Sequence, residues 1–205
     1  MHPEALSTKY KEIFAKLNNF GDFYLAGGTA LALQIGHRIS IDFDFFSEKE
    51  IPKNLLDKVK KIFFDKKVVI SVNNPDELTV FTDEVKISFI KYPFPVLFDF
   101  IEHEGVKLLN VKEIAATKAY AIGRRGTHKD YVDLYFIISE KKSFLNEIIE
   151  ISDKKYGPEF NSRLFLEQLT YLEDVDDTEI LFLKEKMDRD DLKNFFENEI
   201  KKIKL

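Results

Sequence analysis

One stretch constrains this chain more than any other: Phe23–Ser47, FYLAGGTALALQIGHRISIDFDFFS. A short apolar run, Phe23–Ala26, meets two glycines and a threonine, Gly27, Gly28 and Thr29. Small, helix-favouring residues follow from Ala30 to Ile35, and Gly36 closes the run. Then come Arg38, Ser40 and Ile-Asp-Phe-Asp-Phe-Phe, with aspartates at 42 and 44. In order, this reads as a strand, a glycine turn, a short helix and a second strand. Alternate side chains of a strand share a face. Asp42 and Asp44 therefore point one way, and Ile41, Phe43 and Phe45 the other.

Two carboxylates held close together repel, and each tends to raise the other's pKa. A divalent cation relieves that strain, and Mg²⁺ commonly takes one or two carboxylates together with substrate phosphates. The plainer alternative is a strand with one face in water. The glycines add a second signal. A strand that turns through glycine into a helix start leaves backbone N–H groups free, and the helix dipole there favours anions. Thr29 adds a hydroxyl donor or caps the helix. Gly-Gly-Thr alone is equally a plain tight turn. The combination is more specific: 14 positions (42 − 28) separate Gly28 from Asp42, with one short helix between. That spacing lets the two strands lie side by side and brings an anion-binding turn to a carboxylate pair.

The rest of the chain sets bounds. At 205 residues it is one domain, or a domain with an appendage, and is long enough to bury a core without staples. There is no cysteine, which excludes disulfides and thiolate metal sites. The net charge of -5 gives no global pull toward nucleic acid. The opening residues MHPEALSTKYKEIF hold no apolar signal run, and no stretch approaches the ~20 apolar residues of a membrane span. A cytoplasmic protein with no membrane contact is the expectation.

Periodicity predicts a helix over 3–19, a strand at Phe23–Ala26, a short helix at 30–35 and a strand at 39–46. A helix after Pro52 and strands at Val68–Val72, Leu78–Thr82 and Val85–Ile90 follow, with Val96–Ile101 and Val106–Leu108 as further edge strands. After Asn110 the pattern is helical: Val111–Ile122, His128–Ile138, 143–155, 160–171 and 189–203. Gly123-Arg124-Arg125-Gly126 reads as a flexible basic joint. The expected fold class is α+β (mixed α/β): a small mixed sheet flanked by helices over 1–110, then a mostly helical part over 111–205 that completes the active site.

This order of motifs resembles the nucleotidyltransferase superfamily shared with polymerase-beta-like enzymes. More narrowly, LAGGTALALQIGHRISIDFDFF is similar to the AbiEii/AbiGii toxin-like nucleotidyltransferases, which include the MenT toxins. That family adds an Arg-x-Ser element, matched by Arg38 and Ser40. It also has a later helical lysine and a Lys-Asp-x-x-Asp-Leu helix, both found in ATKAYAIGRRGTHKDYVDLYFI. The resemblance covers roughly residues 20–140. It implies that Gly27, Gly28 and Thr29 bind the nucleotide with Arg38 and Ser40, and that Asp42 and Asp44 hold Mg²⁺. It further implies catalytic roles for Asp42, Asp44, Lys118 and Asp133.

Residue by residue, alternatives stay open. Lys118 lies among alanines, as a phosphate contact or as a snorkelling surface lysine. Asp133 lies between Val132 and Leu134 and is favoured over Asp130, whose plainer role is at a helix N-terminus. Arg125, with Arg124 and Lys129, would meet nucleotide or RNA phosphates, or form a solvated helix end. Superfamily members usually carry a third carboxylate on a neighbouring strand, and Ser88 falls where it is expected. The implied activity is Mg²⁺-dependent transfer of a nucleoside monophosphate from an NTP such as ATP or GTP. The implied acceptor is tRNA, another RNA or a protein, with a cognate antitoxin as partner. The alternatives are a nucleotide-binding protein without turnover and a degenerate interaction protein on the same fold.

Overall fold

The computed structural model describes residues 1–175 and 178–203, the side chain of Arg125 excepted. The chain divides into two compact units, Met1–Pro95 with Asp99–Leu109, and Val96–Phe98 with Asn110–Leu205.

The first unit is built on one seven-stranded sheet. Its strands are β1 (Tyr24–Ala26), β2 (Asp42–Ser47), β3 (Val68–Asn73), β4 (Glu77–Thr82), β5 (Val85–Lys91), β6 (Ile101–His103) and β7 (Val106–Leu108), in the order β3-β4-β5-β2-β1-β7-β6. β2 runs antiparallel to β1 and parallel to β5, while β7 runs parallel to β1. The sheet is therefore mixed. β7 lies inside the sheet, against the expectation of an edge, because Leu25 of β1 pairs with Leu108. β6 is the edge.

Three helices belong to this unit: α1 (Thr8–Leu17), α2 (Gly27–Ile35) and α3 (Leu55–Ile62). The helix expected over 3–19 is broken. Short 3₁₀ turns at Pro3–Ala5 and Asn18–Phe20 flank α1. A cluster of phenylalanines packs one face of the sheet. Phe89 of β5 lies 4.8 Å from Phe20, 5.1 Å from Phe23 and 5.5 Å from Phe45, ring centre to ring centre. Phe14 of α1 packs on Phe43. These rings hold the alternate residues of β2 and β5 in the core and turn Asp42, Asp44, Lys86 and Ser88 to the other face.

The second unit is helical: α4 (Val111–Arg125), α5 (His128–Ser139), α6 (Leu145–Tyr156), α7 (Ser162–Thr170) and α8 (Arg189–Lys201). α4 is central, packed by α5, α6 and α7. Asn110 caps it by accepting the Lys112 amide at 3.0 Å. Gly123–Arg125 continue α4 instead of forming a loose joint, and only Gly126 and Thr127 separate it from α5. A side chain at Gly126 would sit 3.0 Å from both Ile122 and Tyr131, so the corner is tight.

Val96–Phe98 does not form the expected strand. The Glu113 carboxylate takes the amides of Leu97 and Phe98 at 3.1 and 3.2 Å, which ties this segment to α4. The same carboxylate accepts from Lys155 of α6 at 2.6 Å, with both side chains fully buried. A buried charge needs its counter-charge, since the interior replaces water poorly. Glu113→Ala should lower unfolding free energy by about 3–5 kcal/mol, the range for breaking a buried pair. Urea denaturation measures it, and adding Lys155→Met should recover part of the loss.

Candidate functional site

β1 ends at Ala26, and α2 starts at once. Ala26 pairs with Asp44 across the antiparallel β1/β2 ladder, so the next residue, Gly27, leaves the sheet beside that aspartate. Gly27 has φ +64°, in the left-handed region, and a side chain there would begin 3.1 Å from Asp44 Oδ2. Two independent reasons thus demand glycine: backbone conformation and the space taken by the carboxylate. Gly28 follows in the first turn of α2, and both glycines are half-buried.

Thr29 does not cap the helix. Ala26 is the N-cap, with no side-chain hydrogen bond. The Thr29 hydroxyl bonds the backbone carbonyl of Asp42 and the Ser40 hydroxyl, the latter at 2.7 Å. Its single proton serves the carbonyl, so Ser40 donates to Thr29. Both are buried, and they tie the glycine turn to the aspartate strand. The Ser40 amide also donates to the Ala5 carbonyl at 3.1 Å. Arg38 is 3% exposed, and its Nη1 donates to the Ile39 carbonyl at 3.2 Å. These three residues brace the loop that delivers β2.

Asp42 and Asp44 alternate with buried Phe43 and Phe45 and are half-buried on one face of β2. Across the parallel pairing, Lys86 stands level with Asp42 and Ser88 with Asp44. The field of Asp42 reaches Tyr10 of α1. Burial first, and the Asp42 carboxylate second, push that phenol above its ordinary pKa. The donor set of this face is hard oxygen, which suits Mg²⁺ and not a soft metal. Among the described residues no group of three or more His, Cys, Asp or Glu side chains is arranged to hold a metal ion. Two carboxylates that leave the remaining positions to phosphate and water fit the way Mg²⁺ is usually bound with substrate.

In the helical unit, Lys118 of α4 is only 7% exposed, so it is no snorkelling surface lysine. Its ammonium contacts Asp130 at 2.7 Å and Asp133 at 2.8 Å, both on α5. Asp133 is fully buried. Asp130 also closes the capping box of α5, accepting from the Thr127 amide and hydroxyl at 2.9 Å each. The helix-end role read from sequence for Asp130 is therefore real but incomplete. The Thr-x-x-Asp spacing announces the cap, whereas the contact with Lys118 depends on how α4 and α5 pack. Arg124 lies 4.2 Å over the Tyr120 ring and donates to the Glu159 carbonyl at 3.2 Å. The side chain of Arg125 lies outside the described residues. A cavity of about 690 Å³ in this unit is lined by His128, Ile180, Phe182, Met187 and Arg189 among others. None of the residues expected to act lines it.

Gly27→Ala should destabilise the protein by about 1–2 kcal/mol, the cost of a left-handed non-glycine residue, read by urea denaturation. Lys118→Met should cost more, about 3–5 kcal/mol, because it strips the counter-charge from the buried Asp133. Adding Asp133→Asn to Lys118→Met should cost little further, a non-additivity that a double-mutant cycle measures.

Both the sequence and the fold have relatives among known proteins. A family model described as "Nucleotidyl transferase AbiEii toxin, Type IV TA system" matches residues 12–204. The uncharacterised protein aq_aa25 of Aquifex aeolicus is 34% identical over 175 residues, covering 83% of this chain and 84% of the relative. Two Helicobacter pylori crystal structures share the fold. One, provisionally named a nucleotidyltransferase, has a TM-score of 0.59 at 21% identity, covering 96% of each chain. The other, JHP933, has a TM-score of 0.57 at 20% identity, covering 96% of this chain and 94% of that one. The glycine turn against an aspartate pair and the match along nearly the whole length lead to one assignment: the chain belongs to the AbiEii nucleotidyltransferase toxin family.

Proposed function

We propose that this nucleotidyltransferase moves a nucleoside monophosphate from an NTP to an RNA acceptor such as tRNA, or to a protein, and that Mg²⁺ is required. The observation that carries the reading is the Gly27 backbone lying against Asp44, on the face that also presents Asp42. In this reading Asp42 and Asp44 hold Mg²⁺, which when bound neutralises charge on the phosphates. The amides of Gly27 and Gly28, at the start of α2, bind triphosphate oxygens. Thr29, Ser40 and Arg38 keep that turn and β2 in fixed relation, so the binding groups are in place before substrate arrives.

An acceptor hydroxyl oxygen bonds the α-phosphorus, the bond to pyrophosphate breaks, and pyrophosphate leaves. Lys118 is assigned to phosphate binding, with Asp133 orienting its ammonium. Arg125 is assigned to nucleotide phosphate. The family's toxin–antitoxin context supports a cognate antitoxin protein as partner and a cytoplasmic site of action. No helix among the described residues is long and apolar enough to cross a membrane.

A second reading, nucleotide binding without turnover, is favoured by one observation: Ser88, not a carboxylate, stands beside Asp44. The two readings separate in one assay. Each α-labelled NTP is incubated with Mg²⁺ and total bacterial tRNA, and label transfer and pyrophosphate are followed. Transfer with pyrophosphate release is expected from the wild type. Asp44→Asn should lower it by about 10²-fold or more, and chelation of Mg²⁺ should abolish it. Saturable NTP binding with no pyrophosphate would select the second reading. Full activity in Asp44→Asn would sink the assignment of the aspartate pair.

A further inference from the structure

The transfer proposed above must take a proton from the acceptor hydroxyl as its oxygen bonds phosphorus. Asp42 and Asp44 are assigned to the metal, and Asp133 shares the Lys118 ammonium. The reaction therefore needs a base beyond these three carboxylates. The sheet holds a candidate two strands away from β2. Ser88 of β5 is level with Asp44 of β2 and on the same face, and Thr79 of β4 is level with Ser88. Thr79 Oγ1 lies 3.0 Å from Ser88 Oγ and 2.6 Å from Glu77 Oε1. Both hydroxyls are buried, Thr79 at 3% and Ser88 at 1% exposure, while Glu77 is half-buried.

A hydroxyl has one proton to donate. The shorter, charge-assisted bond claims that of Thr79 for the Glu77 carboxylate. Ser88 is then the donor to Thr79, which leaves the lone pairs of Ser88 as acceptors on the face of Asp44. The three side chains form a directed chain that starts beside Asp44 and ends on a carboxylate.

We propose that Glu77, acting through Thr79 and Ser88, is the base of the reaction: a proton relay whose carboxylate is displaced two strands from the metal-binding pair. The inference rests on the nucleotidyl-transfer reading. The steps balance. The acceptor hydroxyl gives its proton to Ser88 Oγ, Ser88 gives its own to Thr79 Oγ1, and Thr79 gives its own to Glu77. Meanwhile the acceptor oxygen bonds the α-phosphorus, and pyrophosphate leaves with the electron pair of the broken bond. Glu77, half-exposed, returns the proton to water. A serine beside Asp44 thereby becomes a working part and not a lost carboxylate. The arrangement also keeps a third negative charge away from the Asp42–Asp44 pair.

The test uses the full-length chain, total bacterial tRNA and the NTP that wild type transfers, and measures the single-turnover transfer rate against NTP concentration. Glu77→Gln and Thr79→Val should each lower the maximal rate about a hundredfold or more, within the usual contribution of a general base. The NTP concentration at half-maximal rate should stay within about twofold. Thr79→Ser keeps the hydroxyl and should retain wild-type rate. A packing role alone would not separate Thr79→Ser from Thr79→Val while leaving NTP binding unchanged. If Glu77→Gln fails to fold, Thr79→Val carries the test.

Wild-type rates in Glu77→Gln or Thr79→Val would overturn the relay, as would a Thr79→Ser variant as slow as Thr79→Val. Either result leaves the transfer activity itself standing. A wild-type protein that transfers nothing to any acceptor overturns the transfer reading, and the relay with it.

Discussion

The arrangement of the sheet unit depends on one close approach, the backbone of Gly27 against the carboxylate of Asp44. β1 is only three residues long and must hand over to α2 at the point where it pairs with the aspartate strand. A residue with a side chain would press its Cβ to 3.1 Å from Asp44 Oδ2 and would resist the left-handed turn. With glycine, the helix leaves immediately, and its first amides stay on the face that carries the two aspartates. The hydroxyl pair of Thr29 and Ser40 then fixes the distance between the turn and β2. The turn amides and the two carboxylates are thereby set by backbone and buried hydroxyls, which move less than exposed side chains.

The helical unit is organised by buried charge. α4 carries Glu113 and Lys118, and each meets its counter-charge on a different neighbour, Lys155 on α6 and the Asp130–Asp133 pair on α5. Buried ion pairs are weak evidence for net stability, because desolvation offsets much of the attraction. They are strong constraints on geometry, because a mispacked helix would leave a charge in a low-dielectric interior. The two pairs differ in chemical opportunity. Glu113 spends its remaining capacity on the amides of Leu97 and Phe98, a purely structural use. Lys118 has two carboxylates for one ammonium, which hold it in place between α4 and α5.

Much of the local structure was legible in the sequence. Alternation in Ile41–Phe45 announced which residues of β2 face the core, and helical spacing located α4 to α8 to within a few residues. Two of the misreadings share a cause. Val96–Ile101 has the composition of a strand, but the amides of Leu97 and Phe98 are claimed by Glu113, which lies 16 positions beyond Leu97. Gly123 looked like a hinge, but α4 runs through it to the corner at Gly126. Thr29 had the chemistry of a cap, but the Asp42 carbonyl, brought alongside by the fold, took its hydroxyl proton. For Leu97 and for Thr29, a partner distant in sequence outbid the local preference.

The sequence by itself determined the kind of chemistry this protein carries. Glycine next to a small-residue helix and two aspartates on one strand face are local patterns, set by backbone sterics and the two-residue period of a strand. Only the tertiary structure decided how those groups are supported. That Glu77 reaches toward Asp44 through two hydroxyls follows from the register of three strands, β4, β5 and β2. That Lys118 is shared between Asp130 and Asp133 follows from the packing of α4 on α5. Neither is written in any short window of residues. A hydrogen bond or ion pair across elements exists only where packing of the whole core holds the elements in register.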